Sequence, residues 1–266
     1  MPTATDAELL DLLTRGRIEP LGRIVDSSNG ALLCDVVTPE HTIRAIHKPI
    51  RFERPLWDYP DGTLADRERA AYLISAAAGF TAVPPTVVRD GPFGPGSLQV
   101  WVGDLSGARG DVVDVGPKEQ VPPEWLTVLE GVDETGRAVV VSHSADEALR
   151  SVAVLDVLLN NSDRKGGHLF VVDDHLWACD HGVSLGVDPK LRTVLWGWIG
   201  RPVPPADLAR VQQLLEALDT GLADELALHL TADEVRALRE RSARLISEGR
   251  HPAPTPGWPA IPWPAL

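Results

Sequence analysis

The chain has 266 residues, a formal net charge of −13 and 44% hydrophobic residues, so it can bury a substantial core as one two-lobed unit or two small domains. That charge argues against general nucleic-acid binding, which draws on a basic surface, and two cysteines, Cys34 and Cys179, exclude a disulfide framework and a four-cysteine zinc site. No apolar run reaches the length of a membrane span, and the start Met1-Pro2-Thr3-Ala4-Thr5-Asp6 lacks the basic-then-apolar order of a signal peptide, so the expectation is a cytoplasmic protein without an integral membrane segment.

In chain order, Asp6 to Thr14 predicts a short helix carrying Leu9, Leu10, Leu12 and Leu13, stopped by Arg15-Gly16. Leu21 to Val25, Ala31 to Val37 and Thr42 to Lys48 predict three strands of an antiparallel meander. The third ends on Lys48, one of four lysines in the chain, held extended by Pro49. Thr63-Leu64-Ala65-Asp66 then opens a helix and Gly79 closes it. Within that helix Glu68 lies one turn from Leu64 or Ala65 and one turn from Ala71 or Tyr72. Its carboxylate therefore falls on the apolar face, where it needs a cationic partner; Asp66, Arg67 and Arg69 read as a solvated face. Ala82 to Val88 and Leu98 to Val102 predict two more strands around a turn at 90–96.

Residues 103–143, rich in Gly, Asp and Pro, predict a surface insertion with one hairpin from Leu126 to Val141. Ser144-Ala145-Asp146-Glu147 predicts a capping box for a helix whose Leu149, Val152, Leu155 and Leu159 form a core stripe. Asp156 lies on that helix within a turn of Asn160, placed either to orient the following loop or on a polar rim. Leu169–Val172 and Leu176–Cys179 predict a hairpin that folds His168 back beside Asp180. Trp196 and Trp198 read as packing groups. Helices follow at Pro205–Leu218, Leu222–Leu230 and Ala232–Ser247, the last with a capping box at Thr231 to Glu234. Prolines alternating with Trp258 and Trp263 from Pro252 to Pro264 predict an extended strap.

The chemistry concentrates in Asn160-Asn161-Ser162-Asp163-Arg164-Lys165-Gly166-Gly167-His168 and Cys179-Asp180-His181-Gly182. Phosphoryl-transfer sites use two acidic residues at this spacing: kinases have H-R-D-x-x-x-x-N, then a hairpin, then D-F-G. Asp163 takes the first place, His168 stands where Asn is expected, and Asp180-His181-Gly182 takes the last. The string Asn-x-Asp-Arg ahead of a hairpin and Asp-x-Gly resembles the phosphatidylinositol 3- and 4-kinase-like branch of the kinase superfamily, and especially a group of actinobacterial proteins named for that likeness.

This resemblance implies a two-lobed α+β kinase-like fold with a small antiparallel-sheet lobe at 1–102, an interlobe insertion at 103–143 and a mainly helical lobe at 144–266. It implies an ATP- and Mg²⁺- or Mn²⁺-dependent phosphotransferase with Asp163 as the base, His168 and Asp180 as metal ligands, Lys48 on the nucleotide phosphates and Glu68 holding Lys48. Ser27 and Ser28 in the first turn would donate to phosphate, and backbone groups from Gln99 through Val100 and Trp101 to Val102 would hold adenine. Arg164 and Lys165 would add positive charge near the transferred group. The phosphoryl acceptor is left open between lipid, protein and small molecule. Two other classes use the same residues: a nucleotide-binding pseudokinase serving as an interaction module, for which the missing Asn argues, and a metal-dependent hydrolase built on Asp163, His168, His175, Asp180 and His181, which leaves Lys48 and Glu68 without a role.

Overall fold

A computed structural model describes residues 5–24, 30–103, 112–133 and 135–266. The first helix, α1 (Asp6–Arg15), is closed at its start by a reciprocal bond pair between Thr5 and Glu8. Three antiparallel strands follow, β1 (Arg17–Arg23), β2 (Leu32–Val37) and β3 (Thr42–Pro49). The meander matches the expectation, but β1 begins four residues earlier than Leu21, directly after α1. After α2 (Leu64–Ala78) the antiparallel strands β4 (Thr86–Gly91) and β5 (Gly94–Val100) complete a sheet of order β1-β2-β3-β5-β4.

Alternation along the strands decides what each face meets. Val36, Ala45, Leu98 and Val100 pack with Leu9 and Leu13 of α1 in one cluster. Ile46 and Lys48 face the other way, and there Lys48 meets Glu68 of α2. Helix α2 starts at Thr63, whose side chain accepts from the Asp66 amide, and ends at Gly79 with φ of 77°, a left-handed cap that glycine adopts without a Cβ penalty.

The second half is mostly helical. Its core joins α2 to α3 (Glu147–Leu159), α4 (Pro205–Asp219), α5 (Leu222–Leu226) and α6 (Ala232–Glu248) through residues such as Ile74, Leu155, Leu158, Leu214 and Leu238. Helix α2 is therefore covered on nearly every side, which overturns the solvated reading of Arg67. That guanidinium is 2% exposed, donates to the Ser184 carbonyl at 2.9 Å and pairs with Glu234 of α6 at 2.5 Å. The cap of α3 is Asp146, accepting from the Ala148 and Leu149 amides, rather than Ser144.

Residues 113–143 keep the surface reading along most of their length, and their two ends, Val113 and the stretch 140–143, depart from it. Strands β6 (Val113–Gly116), β7 (Leu126–Val132) and β8 (Ala138–His143) form a three-stranded sheet of order β6-β8-β7. A sheet with an apolar face must cover it, and Val113 and Val141 are buried with Leu149, Val152, Leu169, Leu176 and Trp198. The resulting fold is α+β, an antiparallel-sheet N-terminal part against a helical C-terminal part, with the hairpin β9 (Leu169–Val172) and β10 (His175–Ala178) at their junction. Its two turn residues, Asp173 and Asp174, have φ of 52° and 60°, the left-handed pair that a two-residue hairpin turn needs.

His143, fully buried, ties β8 to the turn at 196–198. Its Nδ1 donates to the Ser144 carbonyl, because a carbonyl only accepts, and its Nε2 accepts from the Gly197 amide at 3.1 Å. A second proton would face that amide. Burial, aided by Arg201 and opposed by the Ser144 bond, accordingly pushes this imidazole down to about 4. The unfolded chain takes up the proton near pH 6.5 and the folded chain does not until about pH 4. The contribution is thus intact above about pH 6.5 and is lost as pH falls toward 4. Urea unfolding at stepped pH should show stability declining across this window, with a shallower decline in His143→Asn. Equal slopes in the two proteins would contradict the assignment.

Candidate active site

Lys48 comes from the end of β3 with its side chain largely sequestered, and its ammonium lies between two carboxylates. It pairs with Glu68 Oε1 of α2 and donates to Asp180 Oδ1 at 2.9 Å. Burial alone would lower the lysine pKa, but the charges of Asp180 and Glu68 outweigh it and hold the ammonium well above its ordinary range. The Lys48 charge in turn holds Asp180 well below the usual carboxylate range against its own burial. Glu68 uses its second oxygen on the backbone of the same loop, accepting from the His181 amide at 3.0 Å. The end of a strand, the middle of a helix and the loop after β10 are thus joined at one point.

That loop approaches α2 closely. A Cβ on Gly182 would come within 3.2 Å of the Leu64 Cβ, tighter than most such contacts, which gives the Asp-x-Gly pattern a steric reason. Asp180 itself adopts φ of 59°, a conformation aspartate tolerates better than most residues but still a strained one.

A buried ion pair fixes the loop between α3 and β9. Asp156 and Arg164 are both 0% exposed. The guanidinium bridges both Asp156 oxygens at 3.0 Å, then reaches the Cys179 carbonyl at 2.8 Å and His181 Nε2 at 2.7 Å. Since arginine only donates, His181 accepts with Nε2 and is held neutral by burial, its pKa well below the ordinary value. Asp156 also accepts from Asn161 Nδ2 at 3.0 Å, and Asn161 Oδ1 accepts from the Asp163 amide at 3.0 Å. Of the two readings of Asp156, orientation of the loop is the observed one.

So anchored, Asp163 and His168 line a cavity of about 400 Å³ together with Lys48, Lys165, Asp180 and the Gln99–Val102 segment. Burial raises the Asp163 carboxyl pKa, opposed by Lys165, whose Nζ lies 3.3 Å from Oδ2. His168 Nε2 is 3.4 Å from Asp180 Oδ2. Burial and the nearby cations Arg164, Lys165 and Lys48 push this imidazole down to about 4, against the pull of Asp180, so it is neutral and keeps a lone pair for a metal.

Some expected groups are elsewhere. Arg164 is consumed by Asp156 and does not line the cavity, leaving Lys165 as the basic member of that pair there. His175 Nε2 donates to the Thr81 carbonyl at 2.8 Å, and His181 is 0% exposed with its Nε2 on Arg164. The five-residue hydrolase set therefore does not converge, and among the described residues no three His, Cys, Asp or Glu side chains are grouped to hold a metal. Ser27 and Ser28 lie outside the described residues. Along the Gln99–Val102 segment, the amides of Val100 and Trp101 are taken by the Pro85 and Arg44 carbonyls, whereas that of Val102 makes no hydrogen bond among the described residues.

Comparison with solved structures places this architecture among kinase-like folds. Two structures of the Golgi casein kinase, one of them with Mn/ADP bound, superpose with TM-scores of 0.53 and 0.55 over 92% of this chain and 75% and 76% of theirs, at 15% and 18% identity. No protein-family model matches the chain. By sequence it is 45% identical over 265 residues to Protein Rv2133c of Mycobacterium tuberculosis (strain ATCC 25618 / H37Rv), covering 96% of this chain and 94% of that protein, and it belongs to the same family.

Breaking the Asp156–Arg164 pair from one side strands a fully buried charge. Asp156→Ala should cost about 3–5 kcal/mol in urea unfolding, and Thr193→Val, which removes a long 3.5 Å contact to the same carboxylate and the acceptor of the Leu195 amide, should cost less, about 1–2 kcal/mol. Comparable losses in the two variants would show that the ion pair is not what anchors the loop.

Proposed function

We propose that the chain is an ATP- and divalent-metal-dependent phosphotransferase of the phosphatidylinositol 3/4-kinase-like type, with nucleotide between the two parts of the fold. One observation carries the reading: the Lys48 ammonium, held between Glu68 and Asp180, faces a cavity that Asp163 and His168 also line. An ordered cation of this kind suits polyphosphate. The Mn/ADP bound to the Golgi casein kinase supports the same choice of ligand for a related fold.

The donor set fits a metal brought in with nucleotide. Mg²⁺ and Mn²⁺ in kinase sites take one or two protein donors and complete their shell with phosphate oxygens and water. His168 and Asp180, side by side at 3.4 Å with His168 neutral, meet that requirement; an imidazole nitrogen inclines the pair toward Mn²⁺. When bound, the metal neutralises charge on the phosphates.

The chain's own residues do the rest. Lys48 holds the nucleotide phosphates, and Glu68 keeps Lys48 pointed into the cavity. Asp163 accepts the proton of the acceptor hydroxyl at its carboxylate, and its raised pKa strengthens it as a base. Lys165 lies close enough to that carboxylate to face the same transferred group. The pseudokinase reading draws on His168 in the place of Asn, whereas Asp163 in the place of the base supports the enzyme.

Melting temperature should rise by roughly 5–10 °C with ATP and Mn²⁺ at a hundredfold excess over Kd. Asp163→Asn should keep that rise while release of phosphate from ATP, to water or to the protein, falls by about 10²–10⁴-fold. No shift with any nucleotide under Mg²⁺ or Mn²⁺ would overturn the nucleotide site. A shift without phosphoryl transfer in the parent would favour the pseudokinase, and transfer unchanged in Asp163→Asn would remove Asp163 from the chemistry.

A further inference from the structure

Gln99 is 3% exposed, and its place in the sheet turns it toward the cavity. It stands opposite Ile46 on β3, two positions along from Lys48, on the face of the sheet that carries Lys48. On its other side β4 presents Thr86, which is 0% exposed and opposite Gln99 in register.

The orientation of the Gln99 amide follows from what each neighbour can do. Thr86 Oγ1 lies 2.8 Å from the Pro84 carbonyl. A carbonyl only accepts, so the threonine proton is spent there and Oγ1 is left as an acceptor. The Gln99 atom 2.8 Å from Oγ1 must then be the donor, Nε2. Turning the amide over would set two acceptors against each other in a buried position. With Nε2 fixed toward β4, Oε1 is the prong turned toward β3 and the cavity. Among the described residues it accepts no hydrogen bond.

We infer that the Thr86–Gln99 pair is a base-selecting device, which presents a fixed acceptor to the 6-position of a purine and so admits adenine and rejects guanine and hypoxanthine. This rests on the nucleotide reading of the cavity and adds the residues that choose the base. The 6-amino group of adenine has protons to give to Oε1, whereas the 6-oxo group of guanine or hypoxanthine meets it with a lone pair. The Val102 amide at the end of the same segment, which makes no hydrogen bond among the described residues, suits the N1 acceptor of adenine, and the oxo bases carry a proton on N1. Two positions on one edge of the cavity therefore ask for the same base. A glutamine free to turn would serve either purine, so the discrimination resides in the threonine that locks it.

The test measures binding of ADP, GDP and inosine diphosphate with Mn²⁺ to the full chain by calorimetry. The parent should bind ADP roughly 5- to 150-fold more tightly than either oxo purine, the range of a buried hydrogen-bond mismatch. Thr86→Val keeps the side-chain shape but frees the amide, and Gln99→Met removes the acceptor. In each, the preference should shrink several-fold, in Thr86→Val mainly by a gain in GDP and inosine diphosphate affinity. A merely structural role would weaken all three nucleotides alike and leave the ratio unchanged, which would overturn the inference, as would equal binding of all three by the parent. Both results leave the nucleotide site standing, whereas binding of none of the three would remove the site and the inference together. The inosine comparison needs no variant, so a substitution that fails to fold does not shield the claim.

Discussion

One ammonium group holds the two parts of this protein in register. Lys48 is reached by Glu68 from helix α2 and by Asp180 from the loop after β10, and Glu68 continues to the His181 amide. Removing Lys48 would leave two buried or half-buried carboxylates without their counter-ion, a loss far larger than an exposed pair would suffer. The clamp also sets the position of Asp180 relative to His168, and hence the shape of one end of the cavity. In a chain whose net charge is −13, an anionic ligand on the proposed reading finds its cations in Lys48 and Lys165.

A second buried pair stands behind the first. Asp156 and Arg164 tie the loop bearing Asp163 to α3 and to the Cys179 carbonyl, one residue from Asp180. The two acidic side chains that line the cavity are thereby set by one polar network rather than by separate loops. The tail adds to this support, since the Ala265 carbonyl accepts from the Gly166 amide at 2.8 Å.

Much of this was legible in the sequence, for reasons that differ between residues. The antiparallel meander, α2 and the β9–β10 hairpin follow from alternation, caps and turn residues, which are local signals. That Glu68 needs a cation was readable from a carboxylate on an apolar helix face, and that the cation is Lys48 came from the kinase resemblance. Arg67 was misread because the same argument says nothing of how many sides of α2 are covered; its partner Glu234 lies 167 residues further on. Arg164 was given to the cavity by its place beside Asp163, yet the carboxylate that captures it sits eight residues earlier on α3. The β6 strand escaped notice because it is four residues long and gains its meaning only from β8. The lock on Gln99 depends on a threonine 13 residues away across a strand pair, and no local pattern marks it.

The central claim is that His168, Asp180 and Lys48 together receive a metal–nucleotide complex. Electron spin echo modulation of Mn²⁺ with ADP on the full chain tests it most directly, because it detects nuclei next to the metal. The account predicts phosphorus coupling from ADP and nitrogen coupling from an imidazole in the parent, and in His168→Asn the loss of the imidazole nitrogen with the phosphorus retained. A protein-bound Mn²⁺ signal without phosphorus coupling, or imidazole coupling that survives His168→Asn, would contradict it.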